Sequence, residues 1–118
     1  MSVQGTPADL LVRLLGACEL RARVVSANIA NSNTPGFVRQ VVRFEELLGQ
    51  ELRQGGDSSE VQPEVLRDLE TPARPDGNNV TLELELNTMR ENRLLYETYS
   101  SMLRAHFGLL ETAITEGR

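Results

Sequence analysis

Apolar residues recur at alternating steps of four and three near both ends of this 118-residue chain, and no other feature restricts its fold as much. Near the start the repeat runs through Leu11, Leu15, Cys18, Ala22, Val25 and Ile29. Near the end it runs through Leu82, Leu86, Met89, Tyr96, Leu103, Phe107, Leu110 and Ile114, with Arg93 and Ser100 in the unfilled places. Such a repeat is a narrow stripe along a helix, the pattern of a coiled coil. A lone helix of this kind is marginal in water and needs a partner. The expected fold is therefore mainly α, with long N- and C-terminal helices pairing as an antiparallel coiled-coil hairpin around an irregular middle.

Local signals bound the elements. Thr6 reads as an N-cap, Pro7 as the first helical residue, and Asp9 as an acid in the first turn. The first helix is expected over 7–31, with Arg13, Glu19, Arg21 and Arg23 largely outside its seam. Residues 1–5 are small and polar and are expected to fray. Thr34-Pro35-Gly36-Phe37 fits a type II turn: Pro35 cannot continue a helix, and Gly36 accepts a positive φ. Residues 37–44 are rich in β-branched and aromatic side chains and read as extended. A short helix follows over 44–53, with Glu45 and Glu46 as a solvated start and Leu47, Leu48 and Leu52 facing one way. Residues 55–79 hold three of the five prolines and read as a linker, in which Val61, Val65, Leu66 and Leu69 can form a short strand or turn. Asn79 reads as the cap of a second long helix over 80–116, closed by Gly117. Val80–Leu86 also alternates like a strand, but the four-three pattern persists far longer and decides for helix. The whole chain, 1–118, reads as one domain, with 32–79 as turn, short helix and linker.

Composition narrows the function. The net charge is −5, so the basic footprint of a duplex binder is missing and no nucleic-acid partner is expected. All 12 basic residues are Arg, which excludes lysine chemistry. No apolar run approaches the ~20 residues that span a bilayer, and no cleavable signal peptide is expected. Cys18 is single and reads as a small buried hydrophobe; His106, also single, reads as packed or surface-lying. No metal spacing, phosphate loop or nucleophile pair is present, so no cofactor and no enzymatic activity are expected.

Two motifs add a resemblance. Ala27-Asn28-Ile29-Ala30-Asn31-x-x-Thr34-Pro35-Gly36-Phe37 resembles the N-terminal signature of bacterial flagellar axial proteins, where Tyr is commoner than Phe37. Asp76-Gly77-Asn78-Asn79-Val80-Thr81-Leu82-Glu83, followed by Glu91-Asn92-Arg93-Leu94-Leu95-Tyr96, resembles the C-terminal signature of the proximal rod protein (FlgB) family, with Thr81 where Asp is usual. That resemblance implies a structural subunit of the flagellar basal-body rod. It implies export from the cytoplasm by the flagellar type III apparatus without signal cleavage, and a place in the periplasmic rod. The implied partners are copies of itself, other rod proteins, and export-gate and MS-ring components at the rod base, without direct membrane insertion. The residues expected to carry assembly are Asn28, Ile29, Asn31, Thr34, Pro35, Gly36, Phe37, Asn79, Val80, Asn92, Leu95 and Tyr96. Asn28 and Asn31 are expected to fix register at the helix end. The competing expectation is a cytoplasmic helical adaptor or flagellar export chaperone, equally small, acidic and helix-rich.

Overall fold

A computed structural model describes residues 6–117, so the fraying expected of residues 1–5 lies outside the described residues. Helix α1 spans Pro7–Ala30. Strand β1 follows at Gln40–Arg43, helix α2 at Glu45–Arg53, strand β2 at Glu64–Arg67, and helix α3 at Leu82–Glu116. A single 3-10 turn, Ser58–Glu60, lies between α2 and β2. The two long helices pack antiparallel, as expected. The molecule measures 68 × 28 × 16 Å. Its radius of gyration, 18.1 Å, exceeds the ~13–14 Å of a compact chain of this length.

Helix α1 starts where its signals place it. The Thr6 hydroxyl accepts from the Asp9 N–H at 3.1 Å. It ends at Asn31, whose N–H donates to the Ala27 carbonyl. The turn beyond has Gly36 at φ +75°, and the Phe37 N–H donates to the Thr34 carbonyl at 3.2 Å. Only Gln40–Arg43 forms a strand, pairing antiparallel with β2 from Gln40↔Arg67 to Arg43↔Glu64.

The apolar core sits between α1 and α2. Leu11, Leu14, Ala17, Phe44 and Leu48 form it, with Leu10, Val61, Tyr99 and Leu103 packed against it. Of the three leucines expected to share one face of α2, only Leu48 is buried; Leu52 is exposed. Arg13 is not a surface residue. Its Nη2 donates to the carbonyls of Ser58 and Val61, and its guanidinium lies 5.6 Å from the centre of the Phe44 ring. The side chain thereby closes the segment after α2 onto the core.

The helix pair is where structure and expectation differ most. On α1, Leu11, Cys18 and Val25 are buried as read, but the row turned to α3 is Leu14, Arg21 and Asn28. On α3 the inward row is Glu85, Asn92 and Tyr99. The centre of the four-three stripe of α3 lies roughly 80° round the helix from that row. Leu82, Leu86, Tyr96, Phe107, Leu110 and Ile114 are exposed, while Met89 and Leu103 are half-buried. Polar side chains occupy the inner row because each finds a partner there, which removes the penalty of burying them.

Candidate functional site: a pinned turn at the end of the hairpin

The two signature motifs meet at one end of the hairpin, held by asparagines. Asn78 is fully buried, and its Nδ2 donates to the carbonyls of Asn31 (2.9 Å) and Thr34 (2.8 Å). Its Oδ1 accepts from the Val80 N–H at 2.7 Å. The Gly36 N–H donates to the Asp76 carbonyl at 2.8 Å, and the Asn79 N–H to the Phe37 carbonyl at 3.3 Å. The backbones touch. Gly77 has φ +86°, and a Cβ there would stand 3.2 Å from Gly36 Cα. Glycine is required at Gly77 by both conformation and space. Arg74 braces the same junction, donating to the carbonyls of Val80 and Ser32, each at 2.6 Å.

Asn79 does not cap α3. The N-cap is Thr81, without a side-chain bond, and α3 begins at Leu82. Asn79 instead accepts from the Arg39 N–H at 2.7 Å and donates to the carbonyls of Asp68 and Thr71. It joins the segment before β1 to the connection between β2 and α3, whose backbone groups there would otherwise be orphaned.

Beneath the turn lies a buried charge network. Glu85 has no exposed surface. One of its oxygens accepts from Asn28 Nδ2 at 2.9 Å, the other from Arg39 Nε at 2.6 Å. Arg39 also donates to Asp68 at 2.7 Å. Burial works against the Arg39 charge, but the bonds to Glu85 and Asp68 outweigh it and raise its pKa. The Thr71 hydroxyl, then Arg39 and the N–H groups of Glu70 and Thr71, hold the Asp68 carboxyl well below the usual carboxylate range. Asn28 completes the junction by exchanging bonds with strand β1: its Nδ2 donates to the Gln40 carbonyl and its Oδ1 accepts from the Gln40 N–H.

A second polar layer sits one heptad along. Arg21, read as lying outside the seam, donates to Asn92 Oδ1 at 2.9 Å and to Glu45 at 2.7 Å. Asn92 Nδ2 donates to the Cys18 carbonyl, and the Tyr99 hydroxyl donates to Glu45 at 3.2 Å. Glu45 is therefore a paired residue and not a solvated helix start. Burial, and then the Glu45 carboxylate, push the Tyr99 phenol up to about 12. Burial pushes the Cys18 thiol up, so it is a poor nucleophile.

Among the expected residues, Asn28, Asn79, Val80 and Asn92 are buried. Ile29, Asn31, Phe37 and Leu95 are half-buried; Thr34, Pro35, Gly36 and Tyr96 are exposed. The Asn31 side chain serves the turn alone, donating to the Ala27 carbonyl and accepting from the Thr34 hydroxyl. Arg21, Arg39, Glu45, Asp68, Asn78 and Glu85 carry the networks and escaped the sequence reading. One signal was available: Asn28 and Arg21 are a heptad apart, as are Glu85, Asn92 and Tyr99.

Among the described residues, no group of acids, His and Cys is arranged to hold a metal, and no helix is long and apolar enough to cross a membrane. A long helical hairpin with a pinned end and an uncovered apolar stripe belongs to the class of structural proteins that work by helix packing. A family model described as flagella basal body rod protein matches residues 20–37, the last part of α1 and the turn. The chain is 30% identical over 105 residues to the flagellar basal body rod protein FlgB of Aeromonas hydrophila, covering 77% of this chain and 80% of that one. It is 28% identical to FlgB of Borrelia hermsii, covering 91% of this chain and 94% of the relative. Against FlgB of Bacillus subtilis (strain 168) it is 24% identical over the full length of both. The chain belongs to the FlgB family of flagellar basal body rod proteins and is a structural subunit of the basal-body rod, assembling with other rod proteins.

Proposed function

We propose that the hairpin is the building unit of a hollow rod that serves as drive shaft for flagellar motility. In this reading the exposed stripe of α3 packs against helices of neighbouring subunits. The observation that carries it is the stripe itself: Leu82, Leu86, Tyr96, Phe107, Leu110 and Ile114 lie along one line of a 35-residue helix and are all exposed. Apolar surface of that extent is costly in water and is stabilised when covered. Identical units that meet head to tail without closing produce an open helical tube.

The single domain stands at the rod base in the periplasm, beside the MS ring and the export gate. It reaches that position through the flagellar export apparatus with no signal peptide removed, and it acts without catalysis. Thr34, Pro35 and Gly36 present the turn outward to a neighbour, with Ile29 and Phe37 at its flank. Asn28, Asn31, Asn79, Val80, Asn92 and Leu95 hold the shape that assembly requires, and Tyr96 lies on the contact surface. The test is deletion of the gene, electron microscopy of purified basal bodies, and immunoblotting of wild-type basal bodies for this chain. Absent rods, with the protein present in wild-type particles, are expected. Normal rods with the protein confined to the cytoplasm would instead establish an adaptor or export chaperone.

A further inference from the structure

The inner row of the hairpin is polar where an apolar row stands available on the same helix. Asn28 meets Glu85, Arg21 meets Asn92, and Tyr99 packs against the cluster containing Leu14. These layers fall seven residues apart on each helix, the spacing of one seam position. Glu85 and Asn28 are fully buried, and Asn92 is nearly so. All three are satisfied: Asn28 and Arg39 bond Glu85, and Asn92 bonds both Arg21 and the Cys18 carbonyl. Hydrophobicity alone would turn the Leu82–Leu103 part of the stripe inward, because that rotation buries Leu82, Leu86 and Tyr96 in place of a carboxylate and an amide. It would also break the bonds that Arg39 and Asn28 make to Glu85, a large cost for a buried charge.

We propose that Glu85, Asn92, Arg21 and Asn28 are register-setting residues: their paired layers fix the rotation of α3 and forbid the alternative hairpin in which its apolar stripe faces α1. Buried polar positions are known to fix register in coiled coils at some cost in stability. Here the same device keeps the stripe outward. Its use for packing against neighbours rests on the rod reading; the rotation itself does not, and it is tested on the free chain without a flagellum.

The test uses the full chain carrying Cys18→Ser, with a single reporter thiol at Tyr96→Cys (exposed stripe) or Leu95→Cys (half-buried, inward side). Maleimide labelling rates are compared in the parent and in an Arg21→Ala, Glu85→Ala, Asn92→Ala variant, which removes the polar pairing without supplying an apolar inner row. Asn28 is left in place to hold β1, and Arg39 keeps Asp68. In the parent, the thiol at 96 should react about threefold or more faster than that at 95, as local protection dictates. In the triple variant, with helix content retained, the order should reverse. Retention of the parental order overturns the proposal. So do equal rates at 95 and 96 in the parent. Loss of helix content in the triple variant also overturns it, because the apolar stripe, once turned inward, should still hold the two helices together. Glu85→Gln, which keeps hydrogen-bonding capacity, should preserve the parental order.

Discussion

Arg39 is the side chain whose removal should cost this fold most. Its Nε holds Glu85 at 2.6 Å and its guanidinium holds Asp68 at 2.7 Å. Arg39→Met keeps the apolar stem and removes both ion pairs. Glu85 has no access to water, so its charge stays uncompensated apart from one bond from Asn28. Asp68 retains Thr71 and the N–H groups of Glu70 and Thr71, so its loss is the smaller contribution. Removing one partner of a buried pair costs about 3–5 kcal/mol. A domain of this size has about 5–15 kcal/mol in total, so the loss is a large fraction of it. With a urea slope of about 1–3 kcal/mol/M, the midpoint should fall by about 2 M. The assay is urea unfolding of the full chain at pH 7, followed by far-ultraviolet circular dichroism. Arg39→Met combined with Glu85→Leu should recover most of the loss, since apolar groups often replace a buried ion pair at no cost. A midpoint shift below about 0.3 M for the single variant would refute the reasoning, given the slopes expected. So would a double variant no more stable than the single one.

Four further outcomes are expected. Asp68 is depressed in the folded state, so the stability it contributes is present above its ordinary value of 3.8 and is lost as pH falls below it; urea midpoints should drop in that acid range, and Asp68→Asn should flatten the drop. Tyr99 is raised, so its contribution holds below the ordinary value of 10.0 and is lost as pH rises through about 12; spectrophotometric titration should show a late phenolate that Tyr99→Phe removes. Gly77→Ala should destabilise by more than the roughly 1–2 kcal/mol of left-handed strain, because its Cβ also crowds Gly36, whereas Gly36→Ala meets only the strain; thermal melts of the pair would show it. Gly16→Ala, in the open on α1, should stabilise by up to about 1 kcal/mol, and a lowered melting temperature would contradict that.

The class of fold was legible because it depends on long-range periodicity, and both helices persist for several turns. Turn chemistry was legible too: Thr6, Pro35 and Gly36 each have one dominant backbone use. The rotation of α3 was not legible. A four-three apolar stripe states that a helix has a sticky side, but not which copy of which chain covers it. Glu85 and Asn92 lie off the four-three stripe, and nothing local marks them for burial, because burial of a polar group depends on partners distant in sequence, Arg39 and Asn28 for the one, Arg21 for the other. Asn79 looked like a cap for a similar reason. Position before a helix favours capping, yet two connections distant in sequence converge on this side chain, and that convergence is invisible until the chain is folded. The family motifs located the junction correctly without disclosing that Asn78, more than any residue of the proline turn, ties the motifs together.

The separation of the cross-helix bonds along the chain sets an order of assembly. Asn28 and Glu85 are 57 residues apart, Arg21 and Asn92 are 71, and the Asn92 bond to the Cys18 carbonyl spans 74. Closing a longer loop costs more entropy, though the growth is slow. The β1–β2 pairing lies inside all of these spans, so once formed it shortens every loop that remains. Folding should then begin in the middle, join the two helices at the pinned turn, and zip away from it toward Tyr99. The last turns of α3, beyond the reach of α1, have nothing within the described chain to close upon. They are the part whose ordering can be deferred to a neighbour at no cost to what has already formed.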